Sequence, residues 1–242
     1  WCYDVYDDEP ETAGLMTTDT TELASWIRSS DESEMHVIVH AIGDKANDWL
    51  LDVYEDVIGD HGPRDRRFRI EHAQHLSPGA LGRFAELGVI ASMQPYHAAD
   101  DGRWAQKRIG PERIKTTYAF RSLLDAGATV AFGSDWTVAP LDPVEGIDAA
   151  VTRRTLDGAN PNGWIPQERI SLEESLIAYT SAAARAGYME ARVGTIEPGK
   201  LADLAVLSGD IFLMDEKELG SVHVDLTIVE GEVVYEHPAG GE

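Results

Sequence analysis

The sequence predicts an α/β fold in which parallel strands alternate with outer helices, followed by a β-rich tail. Three observations carry this reading. Short apolar, β-branched runs recur: MHVIVHAIGD from Met35, RFRIEHAQ from Arg67, VIASMQPYH from Val89 and TVAFGSD from Thr129. Segments with helical apolar spacing separate them. From Gly194 the pattern changes to short strands punctuated by glycine.

Taken in order, Thr20 to Ser30 opens on capping residues and carries Leu23, Ala24, Trp26 and Ile27 at helical spacing. Met35 to Asp44 reads as a buried strand that exits at Gly43. Ala46 to Ile58 is predicted helical, with Trp49, Leu50, Val53 and Val57 on one face. Arg67 to Gln74 is the next strand, and Pro78 to Leu87 the next helix, stopped by Gly88. A third strand spans Val89 to His97 and ends at Pro95. Arg113 to Ala126 is predicted helical up to Gly127, and Thr129 to Asp135 is the fourth strand. Pro143 to Thr155 and Ser171 to Ala186 are further helices. The tail reads GTIEPGKLADLAVLSGD and then VDLTIVEGEVVYE, with a tight turn at Glu230 and Gly231. A boundary near residue 191 divides the chain into units of 1–190 and 191–242.

With 242 residues, 43% of them hydrophobic, a sizeable core is available. The 43 acidic residues against 20 basic ones give a formal net charge of −23, which disfavours nucleic-acid phosphates and anionic membranes as partners. The acids are dispersed, and only five of the basic residues are lysines. That pattern predicts a halophilic source, because salt screens the mutual repulsion of surface carboxylates. A single cysteine, Cys2, excludes an intramolecular disulfide and a cysteine metal cluster, and fits a reduced, cytoplasmic compartment. No run of about 18 apolar residues occurs, and no basic-then-apolar leader opens the chain, so a soluble protein is expected. A homo-oligomer is left open.

Each predicted strand ends in polar residues: His40 with Asp44, Glu71 with His72 and Gln74, Gln94 with His97, and Ser134 with Asp135. In a (β/α) barrel such ends converge on one pocket. A lone histidine at a strand end is ordinarily structural; the recurrence carries the functional reading. His40, His72 and Asp135 together suit zinc or a similar divalent ion. Such an ion lowers the pKa of its water from 15.7 to about 7. Asp135 is placed to take the proton and pass it to a leaving group.

The segments HVIVHAIGDKAND, RIEHAQHLSPGALGRFAELGVIASMQPYHAADD, GATVAFGSDWTVAPLDPVEGIDAAVTRR, ISLEESLIAYTSAAARAG and GTIEPGKLADLAVLSGD resemble the amidohydrolase superfamily of metal-dependent hydrolases. Within it they resemble the amidohydrolase family 3 branch, YtcJ-like, which includes N-substituted formamide deformylase. The resemblance covers about Met35 to Asp210. It implies a distorted (β/α)8 barrel with a small β domain built from both chain ends, of which this chain would supply strands five to eight and part of the β domain. It makes His40 the fifth-strand metal ligand, His72 the sixth-strand ligand and Asp135 the eighth-strand aspartate. Gln94 and His97 then fall at the seventh-strand end as substrate contacts, and Trp136 walls the pocket or simply packs. The implied activity is hydrolysis of C–N bonds in a small amide-like or formamide-like substrate, with one or two divalent ions, zinc foremost. The family's first-strand His-x-His pair and its bridging lysine or glutamate have no counterpart here. They are expected from an upstream part or from a partner that completes the barrel. The alternative is a non-catalytic protein that keeps the fold with an incomplete metal centre.

Other residues receive structural readings. Asp44 is expected to cap the following helix. Glu71, on the opposite strand face from His72, is expected to pair with an arginine. His36 and His75 read as solvated or structural, Gly133 as a close backbone approach, and Asp203 as part of the β-rich tail. Lys200 lacks the glycine and hydroxyl context of a phosphate-binding loop.

Overall fold

A computed structural model describes residues 1–238; residues 239–242, the end of the expected unit 191–242, lie outside the described residues. Strands β1 (Ile38–Ala41), β2 (Arg69–His72), β3 (Ile90–Met93) and β4 (Val130–Phe132) form one parallel sheet in that order. Helices α1 (Thr20–Glu32), α2 (Asp44–His61) and α3 (Ala80–Leu87) precede or connect the first three strands. The α1 N-terminus is closed by Asp19, whose carboxylate accepts from the N–H groups of Thr21 and Glu22. At the end of α3, Gly88 adopts φ 65° and donates back to the carbonyls of Phe84 and Ala85, which stops the helix where the sequence predicted.

The apolar face of α2 makes the core. Leu50, Leu51, Tyr54 and Val57 are buried with Ile70, Phe84 and Met93, and Tyr54 stacks on Phe68 with ring centroids 4.4 Å apart. Each such side chain contributes about 1.5–3 kcal/mol by leaving water. All three residues of β4 are buried, as a continuous apolar strand in a parallel sheet should be.

Three predicted elements change. The third expected strand stops at Met93; Gln94 becomes the N-cap of α4 (Pro95–Asp101). Pro95 sits at the first helical position, where its missing N–H satisfies nothing. His97 therefore rides on a helix. An unexpected helix, α5 (Ala105–Arg113), precedes the expected helix Arg113–Ala126, which is reduced to a 3-10 turn at Ile114–Thr116 and α6 (Phe120–Asp125). The break has a cause: Tyr118, at φ 49°, gives its N–H to the Gln74 carbonyl while Thr117 bridges to His75, so this stretch bonds to the exit of β2 instead of to itself. Beyond α7 (Pro143–Thr152), the last expected helix splits at Thr180 into α8 (Leu172–Tyr179) and α9 (Ser181–Ala186). A reciprocal Ser171–Glu174 capping box opens α8.

The tail forms a separate antiparallel sheet of β5 (Leu204–Leu207), β6 (Val224–Val229) and β7 (Glu232–Glu236). Its hairpin turns through Glu230 and Gly231 at φ 51° and 87°, the two left-handed residues a tight hairpin demands. A second apolar cluster joins Val144, Ile147 and Val151 of α7 to Ile211, Leu219 and Val222. Among the described residues, no helix is long and apolar enough to cross a membrane.

Near the end of α1, Asp31 is 1% exposed and accepts from His61 Nδ1 and Arg66 Nε, each at 2.8 Å, and from Arg64. Burial pushes its pKa up; the hydrogen bonds from Arg66 and His61 and the charges of Arg66 and Arg64 outweigh that, and the carboxyl titrates below its usual range. A depressed folded pKa stabilises above the unfolded value of about 3.9, and the contribution is lost as pH falls through the folded value. Urea unfolding should thus show Asp31→Asn less stable than the parent by a constant margin above about pH 5, shrinking below about pH 4. A margin unchanged at still lower pH would show that this ion cluster is not what Asp31 contributes.

Candidate active site

Strand β2 ends at His72, at φ 76°, followed by Ala73 at φ 43°; the turn after β4 places Asp135 at φ 58°. Left-handed backbone costs a residue with a Cβ about 1–2 kcal/mol and persists where surrounding contacts impose it. Here it turns the chain off the sheet at the two strand ends. Both side chains consequently face one cavity of about 920 Å³. Its polar wall includes His40, His72, His97, Asp101 and Asp135, and its apolar wall includes Trp1, Tyr6, Leu15, Leu23, Trp49 and Trp104.

His40 and His72 meet edge-on with ring centroids 4.4 Å apart. His72 Nδ1 donates to Gln94 Oε1 at 2.8 Å, which leaves the lone pair on its other nitrogen. His97 Nε2 lies 3.2 Å from Asp135 Oδ2. One donor atom from each of His72, His97 and Asp135 falls within 4.8 Å of the others. Burial, then the neighbouring His72, pulls the His40 pKa down against the opposing pull of Asp135, so its imidazole favours the neutral, ligating form.

Two imidazoles and a carboxylate are the donor chemistry of a divalent transition-metal site. Tetrahedral ligands about 2.1 Å from an ion stand about 3.4 Å apart, and the His97–Asp135 separation is of that size. The residues present therefore fit a metal.

A profile of the amidohydrolase family matches residues 3–235. The chain belongs to the amidohydrolase family. It is 45% identical over 234 residues to the Arabidopsis thaliana protein LONG AFTER FAR-RED 3, covering 96% of this chain and 40% of that protein. It is 33% identical over 204 residues to the N-substituted formamide deformylase of Arthrobacter pascens, covering 84% of this chain and 37% of the enzyme. A solved structure, an uncharacterized metal-dependent hydrolase from Pyrococcus horikoshii, superposes with a TM-score of 0.77 at 30% identity, over 89% of this chain and 42% of that one. The chain thus spans about two fifths of the length of these relatives.

In this amidohydrolase chain the site differs from the sequence reading at several positions. The donor set groups His97, expected as a substrate contact, with His72 and Asp135, while His40 stands beside His72 outside that set. Gln94 is buried behind His72 and does not line the cavity; its amide orients the imidazole. Trp136 is 67% exposed and also lies off the cavity lining, because the turn at Asp135 carries it away. Gly43, not Asp44, caps α2; Asp44 is the first helical residue, and its carboxylate accepts from Tyr3 N–H at 3.0 Å and from Lys45 N–H.

The structural expectations for three residues hold. Glu71 pairs with Arg69 at 2.5 Å. His36 Nε2 hydrogen-bonds the Arg67 carbonyl. His75 Nδ1 lies 2.9 Å from Thr117 Oγ1, and burial, helped by Arg113, draws its pKa down to about 4.

Sequence reasoning missed Asp101. Its Oδ2 accepts from Tyr118 OH at 2.6 Å and from Gln74 Nε2 at 2.5 Å, inside the amidohydrolase cavity. Burial raises its pKa against the lowering effects of Tyr118, His97 and Gln74. The signal was the four-residue spacing of His97 and Asp101, which puts both on one helix face. Reading the segment as a strand hid it.

Proposed function

We propose that this chain contributes one side of a metal-dependent centre that hydrolyses C–N bonds of small amide-like or formamide-like substrates. The convergence of His72, His97 and Asp135 donors within 4.8 Å carries the reading. The similarity to an N-substituted formamide deformylase supports the substrate class. In this proposal His72, His97 and Asp135, with His40 alongside, hold one or two divalent ions, zinc being the metal that imidazole and carboxylate donors suit. Further ligands come from residues outside these 242. The parallel order of β1 to β4 supports placing them as strands five to eight of a distorted (β/α)8 barrel, with residues 191–242 in a small composite β domain.

When bound, a divalent ion supplies Lewis acidity, polarising a carbonyl and acidifying water. Asp135 takes the proton from the attacking water and returns it to the departing nitrogen. Gln94 holds the His72 ring.

Elemental analysis of the purified full-length protein tests this. About one or two equivalents of a divalent metal are expected, falling by at least about half in His72→Ala, since a catalytic ion needs its three protein ligands. A folded full-length protein that takes up no metal would overturn the proposal.

A further inference from the structure

The cavity holds a carboxylate that the metal centre leaves unused. Both donors to Asp101 reach the same oxygen, and both are buried: Tyr118 at 1% exposure and Gln74 at 7%. The carboxylate is thereby held in one orientation. Its other oxygen, Oδ1, accepts from no group among the described residues, in a wall of the cavity.

Among the described residues no lysine or arginine pairs with it; His97, one turn earlier on the same helix, is the titratable neighbour that faces it. Arg108, the cavity's arginine, is engaged by Asp8 at 3.3 Å and Glu9 at 2.8 Å and lies over the Tyr6 ring. His75 is turned to Thr117. The cavity lining beside it includes Trp104, whose backbone N–H donates to the Asp101 carbonyl and whose ring face attracts cations; the rings of Trp1 and Tyr6 are already met by Lys45 at 5.8 Å and Arg108 at 4.9 Å. The chain's net charge of −23 adds a field that draws cations inward.

We infer that Asp101 is a specificity-determining residue, accepting a hydrogen bond from a protonated amine on a substrate whose remainder is apolar and of aromatic size. The inference rests on the cavity being the active site proposed above. It adds a requirement that hydrolysis alone does not impose: the substrate carries a positive charge away from the scissile bond. The charge-assisted bond to Oδ1 and the Trp104 ring select for it together.

The test is calorimetric titration of the full-length, metal-loaded protein with two probes, benzylammonium and the uncharged benzyl alcohol, at fixed salt. Benzylammonium should bind at least about tenfold more tightly, and Asp101→Asn should weaken it by roughly 10- to 100-fold, the size of one charge-assisted hydrogen bond. Benzyl alcohol should change less than about twofold, because Asn keeps an acceptor for Tyr118 and preserves the wall. Equal binding of the two probes by the parent protein would overturn the inference, as would an equal loss of both in the variant. Turnover of N-[4-(aminomethyl)phenyl]formamide, which carries both a formamide C–N bond and the cationic amine, measured on the same samples, reports on the hydrolase reading. Absent turnover with intact probe discrimination removes that reading and leaves the cation site standing.

Discussion

On the proposed hydrolase reading, Asp135→Asn in the full-length protein is expected to lower kcat by about 10²- to 10⁴-fold, the range a single positioned general acid–base supplies. The substitution is close to isosteric. Asp135 occupies the left-handed region at φ 58°, and asparagine is as well suited to that conformation as aspartate. Thermal unfolding of the variant should therefore match the parent. What asparagine lacks is the capacity to take a proton and the charge that faces His97 at 3.2 Å. Hydrolysis of N-[4-(aminomethyl)phenyl]formamide by parent and variant at equal metal content gives the readout. A variant that turns over at the parent rate removes Asp135 from the chemistry, whatever its place beside the histidines.

The second large effect is on stability. Arg153 is 2% exposed, at the left-handed C-terminus of α7, and no carboxylate hydrogen-bonds it among the described residues. Its guanidinium donates to the carbonyls of Trp164 at 3.1 Å, Tyr118 at 3.0 Å and Thr117 at 3.5 Å. It also lies 5.2 Å from the Phe120 ring centroid and 5.3 Å from that of Trp164. Burial pulls its pKa down to about 10, with Glu168 and Tyr118 acting in the opposite direction. Arg153→Met relieves the desolvated charge but strands buried carbonyls, each of which costs about 1–3 kcal/mol when unpaired. A net loss of about 3–5 kcal/mol is expected in urea unfolding. Arg153→Lys should recover only part of it, because an ammonium cannot fork to three carbonyls in a plane. Equal stability of Arg153→Met and the parent would mean that relief of the buried charge cancels the lost bonds.

Arg153 also links the fold to the cavity. It holds the Tyr118 carbonyl, and Tyr118 holds Asp101. A side chain at the end of α7 thus helps set the position of a group in the cavity wall. No local sequence pattern marks it, since TRRT could equally be a solvated helix end.

How far the sequence speaks can be judged at particular residues. The strand-then-helix alternation, the Gly88 stop and the Glu230–Gly231 turn were legible because each is set by neighbours a few residues away. The types of residue at the strand ends were legible for the same reason, and they named His72 and Asp135. The ends of β3 and the predicted 113–126 helix were misread because long-range bonds decided them. Tyr118 N–H goes to Gln74, forty-four positions back, and that bond outweighs local helical propensity.

The sequence by itself determined an acidic α/β chain of the amidohydrolase family, with imidazoles and a carboxylate at successive strand ends. Only the tertiary structure decided which of them share a centre. His97 joins His72 and Asp135 because Pro95 starts a helix, and Asp101 enters the cavity one turn later on that same helix. The physical reason is range: periodicity and capping are local interactions, whereas donor distances and burial arise from contacts between segments far apart along the chain.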